Sequence, residues 1–178
     1  MNHGTNHKTK CIFIHIPKTA GSSIKEALGI RGTHYTSTQV KSDLNPFFWN
    51  NYFKFAFVRN PFDKLVSNFF FNSHHFGFRN CTFKEYIIAY KNGAKISNDV
   101  VTLHGYLEEE IDFIGRFENL QEDVKFVCDK LNNPISQLPK ENSTVHDHYT
   151  TYYDDETIKI VEELFEKDLK RFNYKFGD

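Results

Sequence analysis

Cysteine is scarce in this sequence and unpaired. The three, Cys11, Cys81 and Cys128, are odd in number and form no CxxC pair, which argues against a disulfide framework and against a zinc site. Cys11 and Cys128 lie in apolar runs and read as small core residues. An excess of charge of either sign is lacking too. The formal net charge is -1, from 22 basic and 23 acidic residues, so the chain as a whole has no long-range attraction to nucleic acid or an anionic membrane. A small anionic ligand needs only a local positive site, which this balance permits. No long hydrophobic run is present. Cys11 to Ile16 is too short for a signal segment or a membrane span, so the chain reads as soluble and cytoplasmic. Repeats and low-complexity linkers are absent. Tryptophan is nearly so: one Trp stands against 19 Phe. The core is therefore expected to be built on Phe, with part of the excess available to line a pocket for a flat ring.

At 178 residues the chain has the length of one domain with a single core. Residues 1–10 are polar and read as a flexible tail, and residues 11–178 as one domain. CIFIHI is a short, continuous, β-prone run, which predicts a buried strand. A turn with Pro17 and Gly21 follows, then a helix opening on Ser22 or Ser23 and closing at Gly29. Tyr52–Val58 predicts a second buried strand. Pro61 suits the first position of the next helix, where Phe62, Leu65, Val66, Phe69 and Phe70 recur on one face. Ile111–Gly115 predicts a third strand and 119–131 a helix. Asp154 to Phe172 predicts one helix, with Ile158, Val161, Phe165, Leu169 and Phe172 as its apolar stripe. Strands alternating with helices predict an α/β fold with a central parallel sheet and helices on both faces. Ligands of such folds bind beyond the carboxyl ends of the strands, where 17–23 and 59–61 would lie.

Pro17, Lys18, Thr19, Ala20, Gly21, Ser22 and Ser23 connect the first strand to the first helix. Gly21 lets the backbone turn and approach a ligand. Amides of a first helical turn have no internal partner and, with the dipole, attract an anion. Lys18 adds a charge, and Thr19, Ser22 and Ser23 add hydroxyls. The alternative is a capped helix after a tight turn, with Lys18 merely exposed. The Walker A pattern, GxxxxGK followed by Ser or Thr, is not met, because Lys18 precedes Gly21. Arg59 ends the second strand and can bind a phosphate bidentately. Ser67 lies about two turns into the next helix. Two phosphate sites at neighbouring strand ends would suit a nucleotide phosphorylated at both ends of its ribose.

The segments FIHIPKTAGSS (13–23), FAFVRNPFDKLVS (55–67) and IGRFENL (114–120) together resemble the PAPS-dependent sulfotransferases. The nearest branch is that of Golgi carbohydrate sulfotransferases and their soluble bacterial relatives. A weaker match runs from Leu138-Pro139 through Asn142-Ser143 and Tyr149 to FNYKF (172–176). The resemblance implies a P-loop-like fold and a donor, 3′-phosphoadenosine-5′-phosphosulfate (PAPS), that leaves as adenosine 3′,5′-bisphosphate. It implies that 17–23 hold the 5′-phosphosulfate, with Lys18 near the bridging oxygen, and that Arg59 and Ser67 hold the 3′-phosphate. Arg116 would lie near the nucleotide, or else pair with a carboxylate. No metal is implied, and the acceptor would be a hydroxyl, by default that of a carbohydrate.

Sulfuryl transfer, like phosphoryl transfer, proceeds in line. Charge develops on the bridging oxygen, where Lys18 and the helix amides would stabilise it, and the acceptor hydroxyl needs a base. His34 lies in RGTHYTS just after the first helix, where a second strand could return toward the cradle. It is the candidate base that the resemblance implies, since relatives of this branch often carry a His there. His15 reads as buried and structural. His74 and His75 are candidates for acceptor contact. His104, His146 and His148 have no distinguishing context. Two other readings stay open: an ATP-dependent P-loop kinase, and a nucleotide- or glycan-binding module without chemistry.

Overall fold

The computed structural model describes residues 3–73, 76–97, 102–134, 138 and 146–178. In chain order the elements are β1 Thr5–Asn6, β2 Cys11–Ile14, α1 Gly21–Leu28, α2 Ser37–Asp43, α3 Pro46–Asn51, β3 Phe53–Val58, α4 Pro61–Asn72, α5 Phe83–Lys91, β4 Phe113–Arg116, α6 Leu120–Lys130, α7 Asp155–Leu164 and α8 Glu166–Phe172. The chain is organised as two compact units. One comprises Met1–Arg59 and Gly105–Ser143, the other Asn60–His104 and Thr144–Asp178.

The first unit holds the sheet, in the order β1-β2-β3-β4. β2, β3 and β4 are parallel, and β1 is antiparallel to β2. Alternation along the strands puts Cys11, Phe13, Phe55 and Phe57 on one face, against Ile24 and Leu28 of α1 and Val124, Val127 and Cys128 of α6. Ile12, Ile14 and Ala56, on the opposite face, are also fully buried. Two covered faces explain why β2 and β3 read as unbroken apolar runs. Truncating Phe55 to Ala would cost roughly 3–5 kcal/mol.

Residues 3–10 are not a loose tail. They fold back as a hairpin on β2, with Thr5 opposite Ile12 and Asn6 opposite Cys11. The bonds are backbone ones, which a polar sequence makes as well as an apolar one. Phe13 N–H donates to Gly4 O at 2.9 Å, and Gly4 N–H donates to Arg31 O at 3.1 Å. Gly4 sits at φ 78°, and a Cβ there would stand 2.2 Å from the Phe13 carbonyl oxygen, so only glycine fits.

The second unit is helical. Phe62, Leu65 and Val66 of α4, Phe83, Tyr86 and Ile87 of α5, Ile160 and Val161 of α7, and Phe165 form its core. The predicted single helix over 154–172 is two helices. Phe165 lies between them at φ −113°, ψ 19°, and a one-residue interruption leaves the apolar stripe in register. Asp154 caps α7 by accepting the Thr157 N–H at 2.8 Å, and Glu166 and Asp168 open α8 at the positive end of its own dipole. The buried Asp168 carboxylate accepts from the backbone N–H groups of Leu103 and His104 and lies 2.7 Å from His104 Nδ1, which gives the buried charge its partners. Among the described residues, no helix is long and apolar enough to cross a membrane.

Candidate active site

The chain leaves the carboxyl end of β2 through His15–Ala20 and enters α1. Lys18 (φ 66°) and Ala20 (φ 63°) are both left-handed, a conformation costing a non-glycine residue roughly 1 kcal/mol or more. The surroundings hold this turn. The buried Thr19 hydroxyl donates to the Ile16 carbonyl at 2.9 Å, so that side chain belongs to the frame of the loop. Ala20 occupies the N-cap and α1 has no side-chain cap, whereas Thr36, Asn60, Thr82 and Asp154 cap α2, α4, α5 and α7. The first helical bond of α1 runs from Ile24 N–H to Ala20 O at 3.1 Å. Earlier amides lie outside the helical ladder, at the positive end of the dipole.

The parallel register pairs Ile14 with Ala56 and Val58 with Arg116, so the three strand ends open on one edge of the sheet. Arg59, one residue past β3, is buried. Its Nη1 donates to Lys18 O at 3.2 Å, and its guanidinium carbon lies 4.0 Å from the centre of the Phe117 ring. The loop and Arg59, two separate signals in the sequence, thus meet. Burial, and then the Arg59 charge, push the Lys18 ammonium down to about 8.

His15 lies just beyond β2 and is 5% exposed. Burial first, then His34 and Lys25, push its imidazole down to about 3, so it is neutral at physiological pH. A Cβ on Gly21 would come 1.9 Å from His15 Cδ2 and 2.1 Å from Nε2; glycine is what lets this ring lie on the mouth of α1. The exposed His34 ring meets His15 edge to face at 4.5 Å. No strand brings His34 there. The segment after α1 is held instead by Lys25 Nζ, which donates to Gly32 O at 2.8 Å, and by the Gly4 bond to Arg31.

Arg116 ends β4, and its backbone N–H donates to Asp123 Oδ2 at 2.6 Å. Ser67 lies on α4, in the second unit, and is buried. His74 and His75 fall outside the described residues, as do Pro139, Asn142 and Ser143 of the weaker match. Asp112 precedes β4 and pairs with Lys54 Nζ at 3.0 Å. It therefore stands at the amino end of its strand, whereas the magnesium-binding acid of a kinase reading would end one.

The model of the sulfotransferase family matches residues 3–175. The chain belongs to the sulfotransferase family. An uncharacterized protein of Archaeoglobus fulgidus is similar to it, 28% identical over 103 residues, which are 57% of this chain and 85% of that protein. In this sulfotransferase-family chain, two contacts went beyond what the sequence was read to imply. Phe117 supports Arg59, and its aromatic ring two residues past Gly115 in GRF was the available signal. His15, read as buried and structural, is buried as expected but lies against Gly21 at the mouth of α1, a contact without a signal in the sequence.

Proposed function

We propose that this chain transfers the sulfuryl group of PAPS to an acceptor hydroxyl and releases adenosine 3′,5′-bisphosphate. The observation that carries this reading is the join between Lys18 and Arg59. A partly desolvated ammonium and a buried guanidinium converge beside a helix end that no side chain caps. That is a site for an anion with several charges.

In this reading 17–23 hold the 5′-phosphosulfate and Arg59 holds the 3′-phosphate. Ser67 and Arg116 join them on the strength of the motifs. The acceptor oxygen attacks sulfur as the bond from sulfur to the bridging oxygen breaks. Lys18 stabilises the charge on the leaving oxygen, and His34 takes the acceptor proton. A carbohydrate hydroxyl is the acceptor that the resemblance favours.

The test is transfer of labelled sulfur from PAPS to a panel of carbohydrate, phenolic and lipid hydroxyls. Labelled product from one class, lowered about a hundredfold or more in His34→Asn, supports the reading. Bound bisphosphate with no transfer to any acceptor would leave a binding module instead.

A further inference from the structure

The loop contains a polar group that the mechanism above does not use. His15 is buried, and its Nδ1 is wholly enclosed with no hydrogen-bond partner among the described residues. Phe13 stacks on the ring at 5.6 Å and 16°, and His34 abuts it edge to face. The ring plane is therefore fixed. A neutral imidazole carries one N–H. On the enclosed Nδ1 it would be a buried donor without an acceptor, a rarity, so the N–H belongs on Nε2, whose own acceptor calls for an explanation.

The position of Nε2 supplies one. Cβ bonds in a helix tilt toward its amino end. Gly21 is the first residue of α1, so the ring edge that a Gly21 Cβ would strike, Cδ2 and Nε2, lies on the amino side of the first turn. The amides outside the helical ladder are on that same side. We propose that His15 is an anion-binding donor, whose Nε2–H completes the cradle of α1 by bonding an oxygen of the sulfuryl or phosphoryl group held there.

A neutral donor has a specific use at this place. The Lys18 and Arg59 charges already oppose one another across the loop, and a third cation would depress Lys18 further. A neutral N–H adds a directed bond without that cost. Burial keeps the ring neutral, and the same burial makes it a poor proton acceptor, which leaves His34 as the base.

The inference rests on reading this loop as the anion site of the donor, and the experiment separates the two. Calorimetry is run with inorganic sulfate and with adenosine 3′,5′-bisphosphate on the parent protein, on His15→Leu, which lacks the donor, and on His15→Gln, which keeps an amide N–H. The expected result is affinity about tenfold weaker in His15→Leu for both ligands, the loss of one bond to a charged group, with recovery in His15→Gln. The ligand-free melting temperature should not fall in parallel. Nitrogen NMR on the parent protein should show the His15 Nε2–H moving downfield as sulfate is added, a readout that needs no variant. Equal affinity in all three proteins, with a static ring signal, overturns the role of His15 and leaves the donor reading intact. Sulfate binding that depends on His15, without bisphosphate binding, keeps the role of His15 and removes the donor reading. Binding of neither ligand by the parent protein overturns both.

Discussion

Arg59 Nη1 donates to the Lys18 carbonyl oxygen across 3.2 Å, while the opposite role, supporting the guanidinium plane, falls to the Phe117 ring. This contact binds the carboxyl end of β3 to the loop after β2, and fixes where the Lys18 side chain departs.

Arg59→Lys keeps the charge and loses the planar fork and the stack. The two cations are not interchangeable at such a site. We expect bisphosphate affinity to fall about tenfold or more, measured by calorimetry, with Lys18 titrating at a different pH once the loop is less constrained. Unchanged affinity would mean that the guanidinium serves the loop and not the ligand.

Lys18→Met should separate stability from turnover. Burial and the Arg59 charge push the Lys18 ammonium down to about 8 in the folded chain, against the ordinary 10.5 of a lysine, so between those values the unfolded chain binds more protons. Stability must then rise with pH across that window. Below pH 8 the parent protein bears the full penalty of a desolvated cation, so Lys18→Met should melt higher there. The gap should close as the pH rises from 8 to 10.5. Turnover should move the other way, lower by about a hundredfold or more in the variant. Melting curves across this range and initial rates at neutral pH check both signs.

Gly21→Ala drives a methyl into the His15 ring, which cannot retreat between Phe13 and His34. Overpacking of this kind costs roughly 1–3 kcal/mol. His15→Ala removes the obstacle, so the double variant should be more stable than the sum of the two single changes predicts. Denaturant unfolding of the four proteins gives the coupling directly, and strict additivity would contradict the contact.

The sequence carried the parallel sheet well, because β2 and β3 are covered on both faces and need unbroken apolar runs. It put the loop before α1 and Arg59 at neighbouring strand ends, as the parallel register has them, but it opened α1 on Ser22 or Ser23, whereas Ala20 is the N-cap and no side chain caps it. Other elements left signals that went unread. Thr36 with Gln39 and Thr82 with Glu85 are capping boxes that open α2 and α5. β1 left almost none, since Thr5 and Asn6 pair through their backbones. The break at Phe165 was hidden by a stripe that a one-residue interruption does not disturb. The contact between His15 and Gly21 could not be read at all. It follows from the left-handed turns at Lys18 and Ala20, which non-glycine residues rarely signal.

The most direct test of the account is thermal unfolding with adenosine 3′,5′-bisphosphate in the presence of a chelator, beside ATP with Mg²⁺. A ligand that binds only the folded chain stabilises it by about 2.7 kcal/mol at a hundredfold excess over its dissociation constant. The account predicts a clear rise with the bisphosphate and little with ATP. A rise with ATP and Mg²⁺ alone would contradict it.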